Sequence, residues 1–473
     1  MKINKKTTLF SSLFTLLISA IIVLTLSGCQ SDDSLLLDPD FGVAASSDTQ
    51  DTALIPPEIL DIIYPDRSLF VGETLTIATG WGVFRMSHFA TMYMAENEGV
   101  TIRIIDFWED YFDWATGRQE MNTKLLTDSA PILICSMLAD PLNPQEAYLF
   151  FDWFPVMYAD PDFNEADWFM NVFHAASVNG HLYEFPLAFN FDLVGLNNTA
   201  PELLDEWARR DSVTVNELLD LYDRFTFTPY LSCGFGPVWA GVYNINDFAC
   251  MRTGEVDFGD EFINLITRMR NNMNPHGGIP RDNYELKRNT YLFDWLSSRT
   301  NFLFLNNDSA FINPKPIVNN RGELIVFFDN GFLLNANATP IEKALAWDFI
   351  KFITNTEHYI PSSGIDLLSW HSPNRALMRY TIEDSLHFFL QPFYGRMVLS
   401  EAEAIEYVVN QIAVLGEMPM RRHSDLPAIL GNSKDGLIIE HIRQFEDGLV
   451  SAEDLAATLQ SIVEVMFMEM GIR

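Results

Sequence analysis

Cysteine is scarce in this 473-residue chain, which holds only Cys29, Cys135, Cys233 and Cys250. No C-x-x-C pair exists, so zinc-ribbon and thioredoxin-like layouts are excluded. Cations are scarce too: 30 Lys and Arg stand against 64 Asp and Glu, a formal net charge of −34. Nucleic acid needs clustered cations, so it is excluded as a partner. Such a surface is also repelled by anionic lipid, so any hold on a membrane must come from something other than charge. No glycine-rich phosphate loop opens a helix, and no G-x-S-x-G elbow is present. His174 and His181, seven apart, miss the spacing of a helical metal pair. His423 and His441 stand alone. These four read as surface histidines, and the sequence names no metal site, no cofactor and no catalytic group.

Apolar residues, by contrast, are plentiful: 48% of the chain is hydrophobic and 13% aromatic, with 37 Phe and 10 Trp. That is enough to fill a large interior and excludes disorder for most of the length. Roughly 400 folded residues exceed the size of one core and point to two lobes. Most of the aromatics belong in those cores. Some can line a cleft, because sugar rings stack on flat aromatic faces flanked by polar groups.

The N-terminus carries Lys2, Lys5 and Lys6, then an apolar run over residues 9–26, then Leu26-Ser27-Gly28-Cys29. Cations before a short apolar stretch make a secretory signal. The run is also long enough to span a bilayer, so an uncleaved anchor helix is the other reading. The ending looks like a bacterial lipobox. That likeness implies a signal peptide over 1–28, a diacylated Cys29 and a lipid-anchored protein on the extracytoplasmic face of the cell membrane. Residues 29–71, rich in Asp, Ser and Pro, read as a flexible tether. Cys135 ends the apolar run Ile132-Leu133-Ile134 and is expected to be a buried strand residue. Whether Cys233 and Cys250 pair is left open.

Order is expected from Glu73-Thr74-Leu75-Thr76-Ile77-Ala78, an alternating strand. A helix over 88–97, a strand over 100–105, a helix over 119–128 and an apolar strand over 131–136 complete a βαβ series. Ligands bind beyond the carboxyl ends of such strands. Further on, a helix at 173–176 leads through a hairpin into a strand at 189–196, and two short helices occupy 201–225. Helices are expected near 260–273 and 284–299, a strand at 324–328 continued by Leu333-Leu334, a strong helix over 340–354 and a helical tail over 437–470.

Four segments together resemble the type-1 extracellular solute-binding lipoproteins of carbohydrate ABC importers. Ala176, Gly180, Tyr183 and Pro186 match that family's A-x-x-x-G-x-x-Y-x-x-P. Residues 191–197 resemble the crossover strand that follows, ending at Asn197. Ala346-Trp347-Asp348-Phe349-Ile350-Lys351-Phe352 resembles its A-W-x-F-I-K-F helix, and residues 445–455 resemble its terminal G-x-x-S-x-E-E-A start, where Ser451 and Asp454 also form a capping-box pattern. One departure is Ile132 after Pro131, where the family commonly has aspartate.

The resemblance implies an α/β, two-lobed periplasmic-binding-protein-like fold (type II), with lobes joined by crossover strands near 187–195, 328–335 and 355–362. One lobe would hold 72–188 plus 332–357, the other 190–330 plus 359–473. It implies a monomer, not an enzyme, that captures a sugar or oligosaccharide by hinge closure and delivers it to an ABC permease.

The positions expected to touch ligand lie at strand ends and crossovers. Trp81 follows the first strand; Trp108, Asp110 and Tyr111 follow the second; Asp140 follows the third, or else starts a turn before Pro141. Asn190 sits on the first crossover, Asp329 ends the second, and Trp239 is the candidate for the opposing wall. Two rivals use the same residues. Glu109, Asp110 and Asp113 can supply a carboxylate to a surface-tethered glycoside hydrolase, which needs two across one cleft. The aromatic-acidic cluster 108–114 also suits a polyamine, and the same fold can bind a peptide.

Overall fold

Strand β1 (Thr74–Thr79) forms where Leu75 and Ile77 alternate with threonine, and both apolar side chains are fully buried. Strand β2 (Thr101–Asp106) pairs with it in parallel, from Thr74 opposite Thr101 to Thr79 opposite Asp106. Strand β3 (Leu133–Cys135) lies parallel on its other side and is buried at every residue, Cys135 included. Helices α2 (Val83–Glu96) and α3 (Trp114–Leu125) provide the crossovers, each starting about one turn earlier than the sequence suggests.

The computed structural model describes residues 55–80, 83–107, 114–127, 129–197, 201–224, 244–251, 253–272, 293–297, 311–358, 371–390, 401–423 and 437–472.

Two long strands organise the rest. Strand β4 (Glu184–Asn197) has 14 residues, all buried. After β5 (Phe293–Ser297) and β6 (Phe311–Pro316), strand β7 (Leu324–Leu334) enters antiparallel between β3 and β4. The far half of β4 pairs with β5 and β6, and the first residues of β7 pair in parallel with β8 (Met420–Arg422). The main order is therefore β2-β1-β3-β7-β4-β5.

Each long strand feeds several hydrophobic clusters. Phe185 of β4 and Phe332 and Leu334 of β7 join Leu75, Ile77 and Leu133 in the first, under α1 (Pro57–Ile63), α2 and α9 (Pro340–Ile353). On the opposite sheet face Ala78, Ile134 and Leu333 pack with Met121, Leu125 and Phe150. Val194, Leu196 and Ile325 belong to a separate core with Trp207, Phe262, Ile442 and Leu459. Between these, Phe189, Phe191, Leu324 and Val326 pack on Phe169, Met378 and Ile412. Helix α9 is built by a capping box: Thr339 and Glu342 each accept the other's backbone N–H, Pro340 opens the first turn, and Leu345, Trp347, Phe349 and Ile350 are buried.

Three expectations need correction. Residues 293–297, read within a helix, form β5, because hydrogen bonding along Asp192 to Leu196 of β4 overrides local preference. Residues 57–70, read as tether, contain α1 and a 3₁₀ turn, with Ile59, Ile62, Ile63 and Phe70 buried. The tail is two helices, Leu437–Glu446 and Ala452–Glu469, because Gly448 takes φ 77° between them and Ser451 caps the second. At the third expected crossover, Thr356–His358 is a 3₁₀ turn and 359–362 lie outside the described residues.

Candidate functional site

The parallel strands end on one edge. Thr79 of β1 stands opposite Asp106 of β2, Cys135 of β3 opposite Phe332 of β7, and Phe332 opposite Phe185 of β4. Of this row's strands, β4 and β7 continue towards the second core. Between the Pro186–Gly331 and Asn190–Phe327 pairs their register shifts twice. Such irregularities bend a strand pair and re-aim its side chains. This edge and the irregular stretch behind it form the candidate site.

Of the eight sequence candidates, Trp81, Trp108, Asp110, Tyr111 and Trp239 lie outside the described residues, as does Cys29. Two of the others lie on the irregular stretch of the paired strands. Asn190 is buried on β4 opposite Phe327, and Asp329 lies on β7 two residues beyond. Asp140 stands apart, in the loop after β3. Its Oδ1 accepts the Leu142 N–H at 3.1 Å, and its own N–H reaches Glu146 Oε2 at 3.3 Å, so it does begin a turn. Burial, followed by the nearby Asp140 charge, pushes the Glu146 carboxyl above its ordinary value.

Other groups at this edge were not singled out from sequence. Thr79 is buried, and its Oγ1 has no hydrogen-bond partner among the described residues. Arg118 Nε donates to the Met137 carbonyl at 3.0 Å and ties α3 to the loop after β3. Behind the edge, Glu184 at the start of β4 and Arg422 at the end of β8 form a buried ion pair, 3% and 7% exposed. The Arg422 guanidinium covers the Phe328 ring, 4.9 Å from its centroid, and Asn246 Nδ2 donates to the Arg422 carbonyl at 2.8 Å. His423 stacks on Phe327 with ring centroids 4.5 Å apart. Burial opposes ionisation of the free Cys250 thiol, yet Arg421, with Nη2 at 3.2 Å, holds the thiol below its ordinary value. The one sequence signal for Arg422 is its place at a strand end, and β8 is only three residues long.

A cavity of about 780 Å³ lies elsewhere, between α9, the end of α2 and the start of α10 (Arg375–Leu390). Tyr93, Trp168, Asp348 and Lys351 help to line it. Burial, then the Asp348 charge, raises the Tyr93 hydroxyl above its ordinary pKa. Among the described residues no group of three or more His, Cys, Asp or Glu is disposed to hold a metal ion, and no helix is long and apolar enough to cross a membrane.

No protein-family model matches the chain, and no curated protein does. Solved structures do. An ABC transporter solute-binding protein from Agrobacterium radiobacter K84, in complex with ribitol, matches with a TM-score of 0.51 at 14% identity, over 84% of this chain and 100% of its own. A periplasmic oligogalacturonide-binding protein from Yersinia enterocolitica matches with a TM-score of 0.54 at 11% identity, over 85% of this chain and 100% of its own. The fold is that of the two-lobed solute-binding proteins. At these identities the likeness speaks for the fold alone.

Proposed function

We propose that this chain is a lipid-anchored extracytoplasmic solute-binding protein that captures a sugar, oligosaccharide or polyol between two lobes and delivers it to an ABC permease. The observation that carries the reading is that β4 and β7 each run from one hydrophobic core into another with an irregular stretch between. Continuous strands joined in this way can flex as a hinge while both cores stay rigid. The two neighbours, one bound to ribitol and one named for oligogalacturonide, support a carbohydrate-like ligand. Glu109, Asp110 and Asp113, on which the hydrolase and polyamine readings rest, lie outside the described residues, and the rest of the described geometry favours neither of those readings nor a peptide.

In this proposal Cys29 carries the lipid, and Trp81 and Trp239 supply stacking faces from opposite lobes. Thr79, Asp106 and Asn190 are the nearby polar groups. The test is a thermal-melting series of the protein with alditols, mono- and oligosaccharides, peptides and polyamines. Saturation at a hundred times the dissociation constant stabilises by about 2.7 kcal/mol. A shift with one carbohydrate class, with loss of calorimetric binding in folded Trp81→Ala and Trp239→Ala proteins, is the expected result. A shift with peptides or polyamines alone overturns it.

A further inference from the structure

We propose that Glu184, Arg422 and Gly331 form a positioning strut that sets the angle between the two halves of the sheet. Glu184 pairs with Leu333, on the first-core side of the irregular stretch, and Arg422 pairs with Val326, on the other side. Their side chains meet along β7 in an ion pair that covers the interval between them. The inference rests on the hinge reading above and names the residues that control that hinge.

Three separate features converge on this contact. Gly331 is not needed for a left-handed backbone. A Cβ there would stand 2.6 Å from Glu184 Oε1 and 2.7 Å from Glu184 Cγ, so the missing side chain makes the space in which Glu184 lies. Phe328 lies under the Arg422 guanidinium and steers it along the strand. Asn246 holds the Arg422 backbone from outside the sheet. The pair is also imperfect as a stabilising element: Glu184 Oε1 and Arg422 Nε are buried without hydrogen-bond partners among the described residues. A buried pair with unmet hydrogen-bonding capacity is commonly no more stable than an apolar replacement. Its distinguishing property is directional. The charge contact fixes how far one side of the irregular stretch can move relative to the other, whereas apolar packing would tolerate a range of bends.

The test uses the protein with no sugar added, so failure to find a carbohydrate ligand leaves its outcome standing. In the unaltered protein, amide hydrogen exchange should be slow at residues 187–190 and 327–331 despite the register shifts. Two variants then remove the strut differently. Glu184→Met with Arg422→Met replaces both charges with apolar side chains of similar length and leaves no buried orphan. Gly331→Ala keeps both charges but displaces Glu184. Each folded variant should exchange about tenfold faster or more in the irregular stretch, with β1–β3 unchanged, and should show an altered small-angle scattering profile. A purely structural pair would lower the melting temperature and leave both readouts where they were. Unchanged scattering and exchange in either folded variant overturns the proposal. So does rapid exchange of the stretch in the unaltered protein, which is decisive even if neither variant folds.

Discussion

Two buried carboxylates, Asp160 and Glu184, are held in opposite ways. Asp160 is 1% exposed at its side chain, and its oxygens are well supplied: Oδ2 accepts Trp347 Nε1 at 2.6 Å and Lys351 Nζ at 2.9 Å, and Oδ1 accepts the Asp162 N–H at 2.8 Å. Lys351 is 30% exposed, so its ammonium keeps part of its hydration. Trp347 and Lys351 lie one turn apart on α9, and the whole arrangement belongs to the first core. Glu184 meets a cation that is itself buried, 238 residues away in sequence, and one polar atom on each partner has no hydrogen-bond partner among the described residues. Desolvating both charges is expensive and leaves little net stabilisation. One carboxylate fastens a loop to a helix; the other links regions that otherwise pack in different clusters.

The largest expected effect is at the second site. Arg422→Met leaves Glu184 buried and unpaired, and should lower unfolding free energy by about 3–5 kcal/mol in denaturant titrations. A loss below about 1 kcal/mol would erase the contrast. A smaller effect, read between about pH 6 and 4, should arise at His371, a buried polar group held neutral. Burial lowers its pKa from 6.5 to about 3, and it stacks on Phe191 with centroids 5.5 Å apart. The unfolded chain binds this proton below about pH 6.5, whereas the folded chain does so only near pH 3. Its contribution is therefore fully present above that window and is lost as pH falls through it, by about 1.4 kcal/mol per pH unit. His371→Phe should flatten the stability profile between pH 6 and 4 (roughly one proton's slope) in urea titrations at stepped pH. The smallest effect is expected at Lys351→Met, about 1 kcal/mol or less, because Asp160 keeps two other donors and the lysine is part-solvated. A loss as large as that of Arg422→Met would show that the two carboxylates are not held differently after all.

Sequence pattern revealed the elements whose stability is local or whose burial is periodic. The β1–β3 series, the apolar run of β4 and the Thr339–Glu342 start of α9 are written in neighbouring residues. Strand β5 was not legible, since its conformation comes from pairing with β4 a hundred residues earlier. Strand β8, three residues long, carries no period at all. Of the candidate site, the strand edge followed from strand order, and Asn190 and Asp329 both fall on the irregular stretch of β4 and β7. The partnership of Glu184 with Arg422 could not be read, because nothing near either residue specifies a contact 238 positions away. Gly331 was invisible for a related reason: its small size answers to a side chain on another strand.

The insertion of β7 between β3 and β4 bears on the order in which the chain can fold during synthesis. The first core needs Phe332, Leu334 and the apolar side of α9, yet its other strands are complete by residue 197. A chain emerging from its N-terminus therefore cannot close that sheet until about 140 further residues have followed. Such late, long-range closure slows folding. For a chain carrying a secretory leader, this delay would favour export competence: the early half stays open enough to pass through a narrow channel, and stable structure forms once the C-terminal half has crossed. For the same reason, no cut at a single point separates the two halves into independently folding fragments.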